Sequence, residues 1–368
     1  MFPARIPIVS VPPSGFSNTY SLEFDGTNDY VENAAPSGLP SGNTFTISAW
    51  VKVDSAHDFS ANHFPILRRD EANDNFVFII SNTTPKIGLI RYGAETKKGD
   101  TTITDDVWHH VVVSVDNLAA TFYLDGVDDG TQTFTGSFAH ANEMRIGQYG
   151  ADYAEGNIDE VAIWNTALSS GSISNIYNNR VPTDLLADSN SANLQGWWRM
   201  GDGTLDSFNL IADQVNPTLG SDLASSLDWN NNGSDPYETL TTSGNSVTEA
   251  DNTSGWGIAS TDTFSLTTGI VYKLVFDFTL NSGAVPNKVL IAVNSDLGSL
   301  QKFIITGVEN GLQTHYFTVD ATRTDYRFGV RENSATNWSL SALSIKPVNG
   351  NPGIMTNMAS EDIVKDTP

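Results

Sequence analysis

Short runs in which apolar and polar residues alternate follow one another along most of the chain from Ser17 onward. The runs are rich in Thr, Val, Ile, Phe and Tyr, and residues such as Gly, Asn and Asp separate them. Alternation with a period of two is typical of strands with one buried face, and many such runs between turn residues favour a β-sandwich. The pattern therefore predicts an all-β chain built from antiparallel sheets.

Two local signals refine this picture. Asp125-Gly126 stands between two β-like runs, and an Asp-Gly pair accepts the positive φ angles of a tight hairpin turn, so a hairpin is predicted there. From Leu168 to Tyr177, apolar residues at 173, 176 and 177 follow a serine that can cap a helix. This segment predicts one short helix.

The strand pattern occurs in two blocks. Residues 17–215 and 245–348 each predict an antiparallel β-sandwich, and residues 216–244 show little periodicity, which favours a linker or an irregular edge. Residues 1–16 are rich in proline, and residues 349–368 carry no strand pattern. We therefore expect two sandwiches with extended N- and C-terminal arms.

The amino-acid composition argues against several classes of binding partner and of functional site. The chain has 368 residues, 19 Lys+Arg, 43 Asp+Glu, a net charge of −24 and no cysteine. This charge argues against nucleic acid and against an anionic membrane surface as the main partner. The absence of cysteine excludes disulfides, Cys-type zinc sites and thiol catalysis. No apolar run approaches the ~18 residues that span a bilayer, and the first residues do not predict a secretory signal.

The first block resembles one known family in several ordered phrases. They are Ser21-Leu-Glu-Phe-Asp-Gly-Thr-Asn-Asp-Tyr-Val, Phe45-Thr-Ile-Ser-Ala-Trp-Val, Trp108-His-His-Val-Val-Val-Ser-Val-Asp, Phe122-Tyr-Leu-Asp-Gly, Met144-Arg-Ile-Gly, Gly156-Asn-Ile-Asp-Glu-Val-Ala-Ile-Trp-Asn and Trp197-Trp-Arg-Met-Gly-Asp-Gly. Together they resemble the laminin-G-like, concanavalin A-like lectin/glucanase jelly roll over about residues 17–215. The resemblance implies two packed antiparallel sheets and a fold that binds glycans and proteins more often than it catalyses reactions.

The second block is similar to the carbohydrate-binding jelly rolls of the family-4/9 type. The similar phrases include Thr253-Ser-Gly-Trp-Gly, Phe317-Thr-Val-Asp and Trp338-Ser-Leu-Ser-Ala-Leu-Ser-Ile, although Ser341-Ala-Leu replaces the Asp-Asn-Val-like ending of that family. Sugar rings stack on flat aromatic faces whose edges stay polar. The candidate glycan-binding residues are therefore Trp256, Tyr272, Tyr316 and Trp338, with a place in the core as the alternative for each.

Acidic turns suggest a calcium site. Calcium takes six to eight oxygen ligands, which Asp25, Asn28, Asp29, Asp159 and Glu160 could supply from two loops. The laminin-G-like resemblance implies that these loops meet at a sheet edge that often holds one Ca²⁺. Asp25 and Asp159 are accordingly the candidate ligands, and an ordinary Asx-turn is the alternative.

Catalytic motifs are missing from the sequence. The glucanases of this fold carry a Glu-x-Asp-x-x-Glu-type strand, which is absent here, and regular alternation would place Asp159 and Glu160 on opposite faces. A Gly-x-Ser-x-Gly elbow, a His-Glu-x-x-His pair and a phosphate-binding loop are also absent. His109 and His110 are expected to point to opposite faces, so they cannot share a metal. The sequence predicts a protein that is not an enzyme.

The tail, residues 349–368, resembles the endings of structural proteins of marine tailed phages. It contains an apolar string outside either predicted sandwich, made of Ile354, Met355, Met358, Ile363 and Val364. Such a string needs a cover, for which a neighbouring subunit is expected, and a disordered terminus is the alternative. We therefore predict a homo-oligomer, as a trimer in a fibre or at a capsid threefold, and expect that truncation after Val348 leaves both sandwiches folded.

These patterns lead to three functional hypotheses. The first is a non-enzymatic phage virion surface protein, as a capsid decoration, a head fibre or a tail adhesin, which binds host or environmental glycans and contacts other virion proteins through its arms. The second is a secreted or cell-surface polysaccharide-binding protein of a marine bacterium, which would be extracellular. The third is a glycoside hydrolase, which a reducing-sugar assay would reveal.

Overall fold

A computed structural model of the chain describes residues 16–40, 42–69, 76–91, 95–138, 143–207, 209–231, 239–243, 246–251, 257–293, 300–332 and 336–368. The fold has two compact units. The first unit combines residues 1–217 with residues 350–368, and the second unit contains residues 218–349. Of the predicted N-terminal arm, residues 1–15 lie outside the described ranges.

The regular elements are numbered in chain order. The chain forms β1 (Ser21–Asp25), β2 (Tyr30–Asn33), β3 (Phe45–Val53), β4 (Phe64–Arg69), β5 (Phe76–Ile80), β6 (Lys86–Arg91), β7 (Glu95–Thr102), β8 (His109–Asp116), β9 (Ala119–Leu124), β10 (Val127–Thr133), β11 (Met144–Ile146), β12 (Gln148–Tyr149), β13 (Asp152–Tyr153), β14 (Glu155–Trp164), α1 (Ser170–Tyr177), β15 (Leu194–Trp198) and β16 (Leu210–Ile211). It continues with β17 (Trp229–Asn231), β18 (Thr239–Ser243), β19 (Ser246–Asp251), β20 (Gly257–Thr261), β21 (Phe264–Leu266), β22 (Tyr272–Gly283), β23 (Lys288–Ala292), β24 (Gln301–Ile305), β25 (Gly311–Phe317), β26 (Arg323–Glu332), β27 (Thr336–Pro347), β28 (Gly353–Thr356) and β29 (Ile363–Val364).

The first unit is a sandwich of two antiparallel sheets. Its first sheet runs in the order β10, β9, β8, β3, β14, β1, β29, with β15 also paired to β14, and its second sheet runs in the order β16, β28, β2, β11, β4, β5, β6, β7. Alternate residues of both sheets, such as Ile47, Val113, Phe78 and Ile146, form one buried apolar core. This is the all-β antiparallel sandwich that the alternating pattern predicts.

The two local predictions for this unit are confirmed. β9 and β10 form a hairpin in which Leu124 pairs with Val127, and Asp125 and Gly126 both have positive φ angles. Helix α1 is capped by the Ser169 side chain, which accepts a hydrogen bond from the backbone N–H of Ser172. The helix packs Ile173 and Ile176 into a second apolar cluster with Trp164.

The second unit is another antiparallel sandwich. One sheet runs in the order β17, β20, β26, β23, β24, with β21 also paired to β26, and the other in the order β18, β19, β27, β22, β25. Strand β22 alternates buried and partly exposed residues along most of its length, so that Leu274, Phe276 and Phe278 enter the core of this unit.

Of the two alternatives predicted for residues 216–244, a linker or an irregular edge, the structure favours the edge, because β17 and β18 are the outermost strands of their sheets. In the described part of this segment, β17 pairs with β20 and β18 pairs with β19, so both strands belong to sheets of the second unit. Trp229 on β17 is buried in the core of that unit. These strands are short and rich in Asn, Ser and Thr, so alternation leaves little signal in them.

The predicted C-terminal arm is corrected. β28 lies inside the second sheet of the first unit, paired with β16 on one side and β2 on the other, and β29 pairs with β1. Met355 and Met358 are buried in the core of the first unit, and Ile363 packs against it. The same chain therefore covers the apolar string. Oligomerisation stays a prediction, without the support of a free apolar tail.

Within the described ranges, no helix has both the length and the apolar composition needed to cross a membrane.

Candidate functional site

The outer face of the first sheet, which points away from the main core of the first unit, carries aromatic, acidic and basic side chains. Helix α1 and the cluster around Trp164 cover part of this face. Trp50 packs beside His110 and Tyr177, with ring centroids 5.0 and 5.9 Å away. Burial lowers the pKa of His110 to about 4, so this histidine is neutral at physiological pH.

A β-bulge in β14 changes the face to which one acidic residue points. Asp159 pairs with Trp50 and Ala162 with Ser48, so one extra residue is inserted in β14 between these pairs. Glu160 is in the left-handed region, with φ at 48°. Because of the bulge, Asp159 and Glu160 both contact groups on the outer face. The expectation that they lie on opposite faces is wrong, since it assumed a regular strand.

Both carboxylates belong to one buried hydrogen-bond network. Asp159 Oδ2 accepts a hydrogen bond from Asn18 Nδ2 at 2.8 Å. Glu160 accepts from Arg199 Nε at 3.0 Å and from Trp197 Nε1 at 2.5 Å. Burial raises the pKa of Glu160 to about 7 and the pKa of Asp159 well above its usual range. Asp159 is fully buried, and Glu160 is 4% exposed at a pocket of about 10 Å³ that Trp50 and His110 also line, which has room for about one water and none for a sugar.

Beside this network, the outer face opens into a polar groove of about 160 Å³ where β1, β3 and β14 are adjacent. We call it the groove, and its lining is Glu23, Lys52, Asp54, Asp106, Gly156, Asn157, Val364 and Asp366. The floor contains Asn157, whose Nδ2 atom donates to Ser21 Oγ at 3.4 Å. A concave surface with amide, carboxylate and ammonium groups can form the several hydrogen bonds that orient a polar ligand.

The segment after β29 closes one side of the groove. The Asp366 carboxylate accepts hydrogen bonds from Lys52 Nζ at 2.6 Å and from Trp108 Nε1 at 2.9 Å. The Asp366 carbonyl accepts from Ser21 Oγ at 2.6 Å. Burial alone would raise the pKa of Asp366, but the bonds from Lys52 and Trp108 outweigh it and lower the pKa below its usual value.

The structure does not bring the two predicted calcium ligands together. Asp25 pairs with Glu155 on β14, four residues from Asp159, which corresponds to about 13 Å along the strand. One ion cannot contact both carboxylates across this distance. Asp25 Oδ1 instead accepts from the backbone N–H groups of Thr27 and Asn28, as in an Asx-turn. Calcium binding elsewhere in the chain stays a prediction, which melting curves with and without chelator would test.

Three of the four predicted sugar-stacking residues are buried in the second unit. Trp338 is fully buried, with its ring stacked near Phe278, and Tyr272 and Tyr316 are each 4% exposed. These rings present no open face to a sugar, so their role as stacking platforms is not supported and the alternative of core packing applies. They lie on strands in which alternate side chains point into the core or onto a surface that other residues cover. Trp256 lies outside the described residues.

The sequence does not indicate Lys52 or Asp366 as site residues, and it suggests a core position for Trp108, which is only partly buried in the structure. Lys52 is the polar member of an apolar run, Trp108 precedes a buried strand, and Asp366 lies in a segment without periodicity. An isolated Lys in the otherwise apolar phrase Trp50-Val-Lys-Val is the signal that could have indicated a functional face. Its partner is 314 positions away in the chain, and only the fold brings the two together.

A search of curated protein sequences finds no match. Similar solved structures include domain 4 of AbnA, a GH43 extracellular arabinanase from Geobacillus stearothermophilus, in complex with arabinotriose (24% identity, 39% of this chain and 70% of that chain, TM-score 0.34). They also include a putative carbohydrate binding protein from Bacteroides ovatus (18% identity, 54% and 56%, TM-score 0.41) and a heptameric SAP-like pentraxin from Limulus polyphemus (18% identity, 47% and 90%, TM-score 0.37).

A family model gives the more direct match. It covers residues 25–174, which extend from the end of β1 into helix α1. Its laminin-G-type family is described as the concanavalin A-like lectin/glucanases superfamily. The resemblance that the ordered phrases of the first block indicate is thereby confirmed, and the main part of the first unit is similar to the concanavalin A-like lectin/glucanases superfamily.

Proposed function

We propose that the protein binds glycans without catalysing a reaction on them, and that its binding site is the groove on the first sheet. The observation that carries this proposal is the groove itself: a polar concavity, bordered by the indole of Trp108, on a unit similar to concanavalin A-like lectins. Amide and charged groups can bind sugar hydroxyls, and the partly exposed indole can contact a sugar ring.

The buried acidic pair supports a role in binding rather than catalysis. A retaining glycosidase needs two carboxyl groups about 5–5.5 Å apart on either side of the scissile bond. Asp159 and Glu160 are adjacent, but Asn18, Trp197 and Arg199 contact them from within the protein. In this network, the two carboxylates stabilise the fold of the first unit. A reducing-sugar assay on mixed polysaccharides checks the alternative, and release of reducing ends would favour a hydrolase.

A glycan array followed by calorimetry tests the proposal. We expect single-site affinities near millimolar, as an order of magnitude for a few hydrogen bonds and one ring contact, which multivalent display would strengthen. Asn157→Ala should weaken binding roughly two- to tenfold, the value of one neutral hydrogen bond. Asn193→Ala, an exposed amide outside the groove lining, is the matched control. Equal affinities for both variants would place the sugar elsewhere.

We further propose that the protein is displayed on a virion surface, as a capsid decoration, a head fibre or a tail adhesin, with a secreted polysaccharide-binding protein as the second candidate. The support is the resemblance of residues 349–368 to endings of phage structural proteins. Mass spectrometry of purified phage particles tests it, because peptides of this chain should be found in the particles. Their absence from particles and presence in culture medium would favour the second candidate.

A further inference from the structure

Two hydrogen-bond donors at the groove, Lys52 in its lining and Trp108 at its border, are already used within the chain. Lys52 Nζ and Trp108 Nε1 each contact a different oxygen of the Asp366 carboxylate, at 2.6 and 2.9 Å. The Lys52 side chain is 27% exposed and that of Asp366 is 42% exposed. The contact is therefore open to solvent on one side, and a ligand in the groove can reach it.

The geometry of these donors selects for a carboxylate. An ammonium and an indole N–H that converge on the two oxygens of one acid form a two-point contact, in which one bond is between opposite charges. A sugar hydroxyl offers one oxygen without a full charge, so it cannot replace both bonds equally well. The lowered pKa of Asp366 agrees with an ionised carboxylate at this position.

The part of the tail that carries Asp366 can leave without opening the sandwich. β28 is paired on both sides inside the second sheet, whereas β29 has two residue pairs with β1 at the edge of the first sheet. Short edge strands open at low free energy, and interior strands open near the cost of global unfolding. Release of residues 365–368, which follow β29, therefore frees Asp366 while β28, Met358 and Ile363 keep their places in the first unit.

We propose that Lys52 and Trp108 form a carboxylate-binding subsite, that Asp366 occupies this subsite within the chain, and that a glycan carrying a carboxylate, such as a uronic acid, displaces it. This inference rests on the proposed glycan-binding function and specifies its ligand class. The tail then acts as an internal competitor, which disfavours neutral sugars and weak acidic ligands at this end of the groove.

The other acids of the groove do not oppose this exchange. Asp54 Oδ1 accepts from the backbone N–H of Ala56, and Asp106 Oδ1 accepts from that of Ser55, so both carboxylates stabilise local turns. At the subsite itself one carboxylate replaces another, so the charge between Lys52 and Trp108 stays the same. Glu23 also lines the groove, and it repels a ligand carboxylate at this position much as it repels Asp366.

How much Asp366 weakens ligand binding depends on the fraction of molecules in which Asp366 occupies the subsite. If only about a tenth of the molecules have a free subsite, the apparent affinity for a competing ligand is about tenfold weaker than the intrinsic affinity. A tethered competitor reaches this occupancy when its effective concentration is about ten times the dissociation constant of the contact. Removal of the Asp366 carboxylate should restore the intrinsic affinity.

The test compares trigalacturonate with neutral galactotriose on the full chain by calorimetry, and monitors Trp108 through its indole ¹H–¹⁵N signal. Asp366→Ala should bind trigalacturonate at least about tenfold more tightly than the unmodified protein, with a shift of the Trp108 signal. Glu361→Ala, which removes the same charge from the same tail, should behave as the unmodified protein. Lys52→Ala combined with Asp366→Ala should lose the gain. Asp366→Asn repeats the test with nearly the same side-chain volume.

The outcomes separate this inference from the proposed function. Equal trigalacturonate affinity with and without Asp366, or an equal gain for galactotriose, overturns the carboxylate subsite. If neutral glycans still bind and Asn157→Ala weakens them, the glycan-binding function stands while the subsite falls. If neither sugar binds any variant and the Trp108 signal never moves, both proposals are wrong.

Discussion

Asp159 and Glu160 are adjacent carboxylates in a buried network on the outer face of the first sheet, and Arg199 forms an ion pair with Glu160. Burial disfavours the charged form of an acid, and a second acid nearby disfavours it further. The ion pair from Arg199 at 3.0 Å acts in the opposite direction. Burial is the larger effect, and it raises the pKa of Glu160 from its ordinary 4.5 to about 7. In the folded protein, Glu160 therefore takes up a proton near neutral pH.

This raised pKa predicts how stability depends on pH. The folded state holds a proton on Glu160 more tightly than the unfolded chain does, so folding is favoured while that proton is present. The contribution is complete below about pH 4.5 and is lost as the pH rises to about 7. Glutamine cannot ionise. We therefore expect the unfolding free energy of Glu160→Gln to fall less over this pH window than that of the unmodified protein, by on the order of 1–3 kcal/mol.

Urea unfolding at several pH values between 4.5 and 7.5 measures this effect. Glu361→Gln is the control, because Glu361 is exposed in the tail and should leave the slope unchanged. Parallel pH profiles for Glu160→Gln and the unmodified protein would show that Glu160 does not carry the proton.

Strand β14 is the element on which both the groove and the buried network depend. It pairs with β3 along one edge and with β1 and β15 along the other. Gly156 begins the groove floor at a φ of +132°, and a Cβ atom there would lie 2.3 Å from the carbonyl oxygen of Lys52. Only glycine lets the two strands approach this closely while the backbone takes this conformation.

Substitution of this glycine tests the element. Gly156→Ala should destabilise the first unit by about 1–3 kcal/mol or more, because the new methyl group meets rigid backbone in a disfavoured conformation. Gly171→Ala is the matched control in helix α1, where the nearest atom is 3.8 Å from the added Cβ. This control should be neutral or stabilising by about 0.5–1 kcal/mol. Thermal unfolding of both variants provides the comparison, and equal melting temperatures would contradict the proposed close approach.

At the scale of the whole molecule, the second unit is an insertion in the first. Residues 218–349 lie between the two chain segments that build the first sandwich. The ends of the insertion are adjacent, since the Asn349 N–H donates to the Thr218 carbonyl at 2.9 Å. A domain can be inserted at a surface position when its two ends lie close together, because the host chain then continues with little change.

Excision of the second unit tests this arrangement. Replacement of residues 218–349 by a short Gly/Ser linker should leave a folded first unit, with unchanged β-sheet circular dichroism and a cooperative unfolding transition. The physical reason is that a linker of a few residues spans the gap that the adjacent ends of the insertion leave. An unfolded product would show that the first unit needs the insertion to fold.

Truncation after Val348 should have the opposite result. It removes β28 from the interior of the second sheet and exposes the core around Met355. Burial of a methionine contributes about 1.5–3 kcal/mol, and the sheet also loses two strand pairings, so we expect the first unit to unfold or aggregate. This replaces the expectation that truncation leaves both sandwiches folded. A soluble, cooperatively folding truncated protein would contradict the strand insertion.

Much of the fold could be predicted from interactions between residues that are close in the sequence. The alternating runs, the Asp125-Gly126 turn and the serine-capped helix depend on neighbours a few residues apart, and the phrases of the first block add a family resemblance. The sequence could not reveal the insertion, because strand partners such as Val31 and Met355 are separated by more than 300 positions. Nor could it show that β28, with only four residues, belongs to a sheet.

The position and lining of the groove also depend on long-range contacts and could not be predicted from the sequence. Sequence identified which residue types can bind sugars or calcium, but not which of them are exposed. Trp338 is buried because its strand turns that side chain into a core, and Asp159 and Glu160 share a face because one extra residue interrupts a ladder. Lys52, Trp108 and Asp366 meet only because an edge strand carries the tail back to β1. Strand character follows from local periodicity, whereas burial, register and long-range contacts follow from how the whole chain packs.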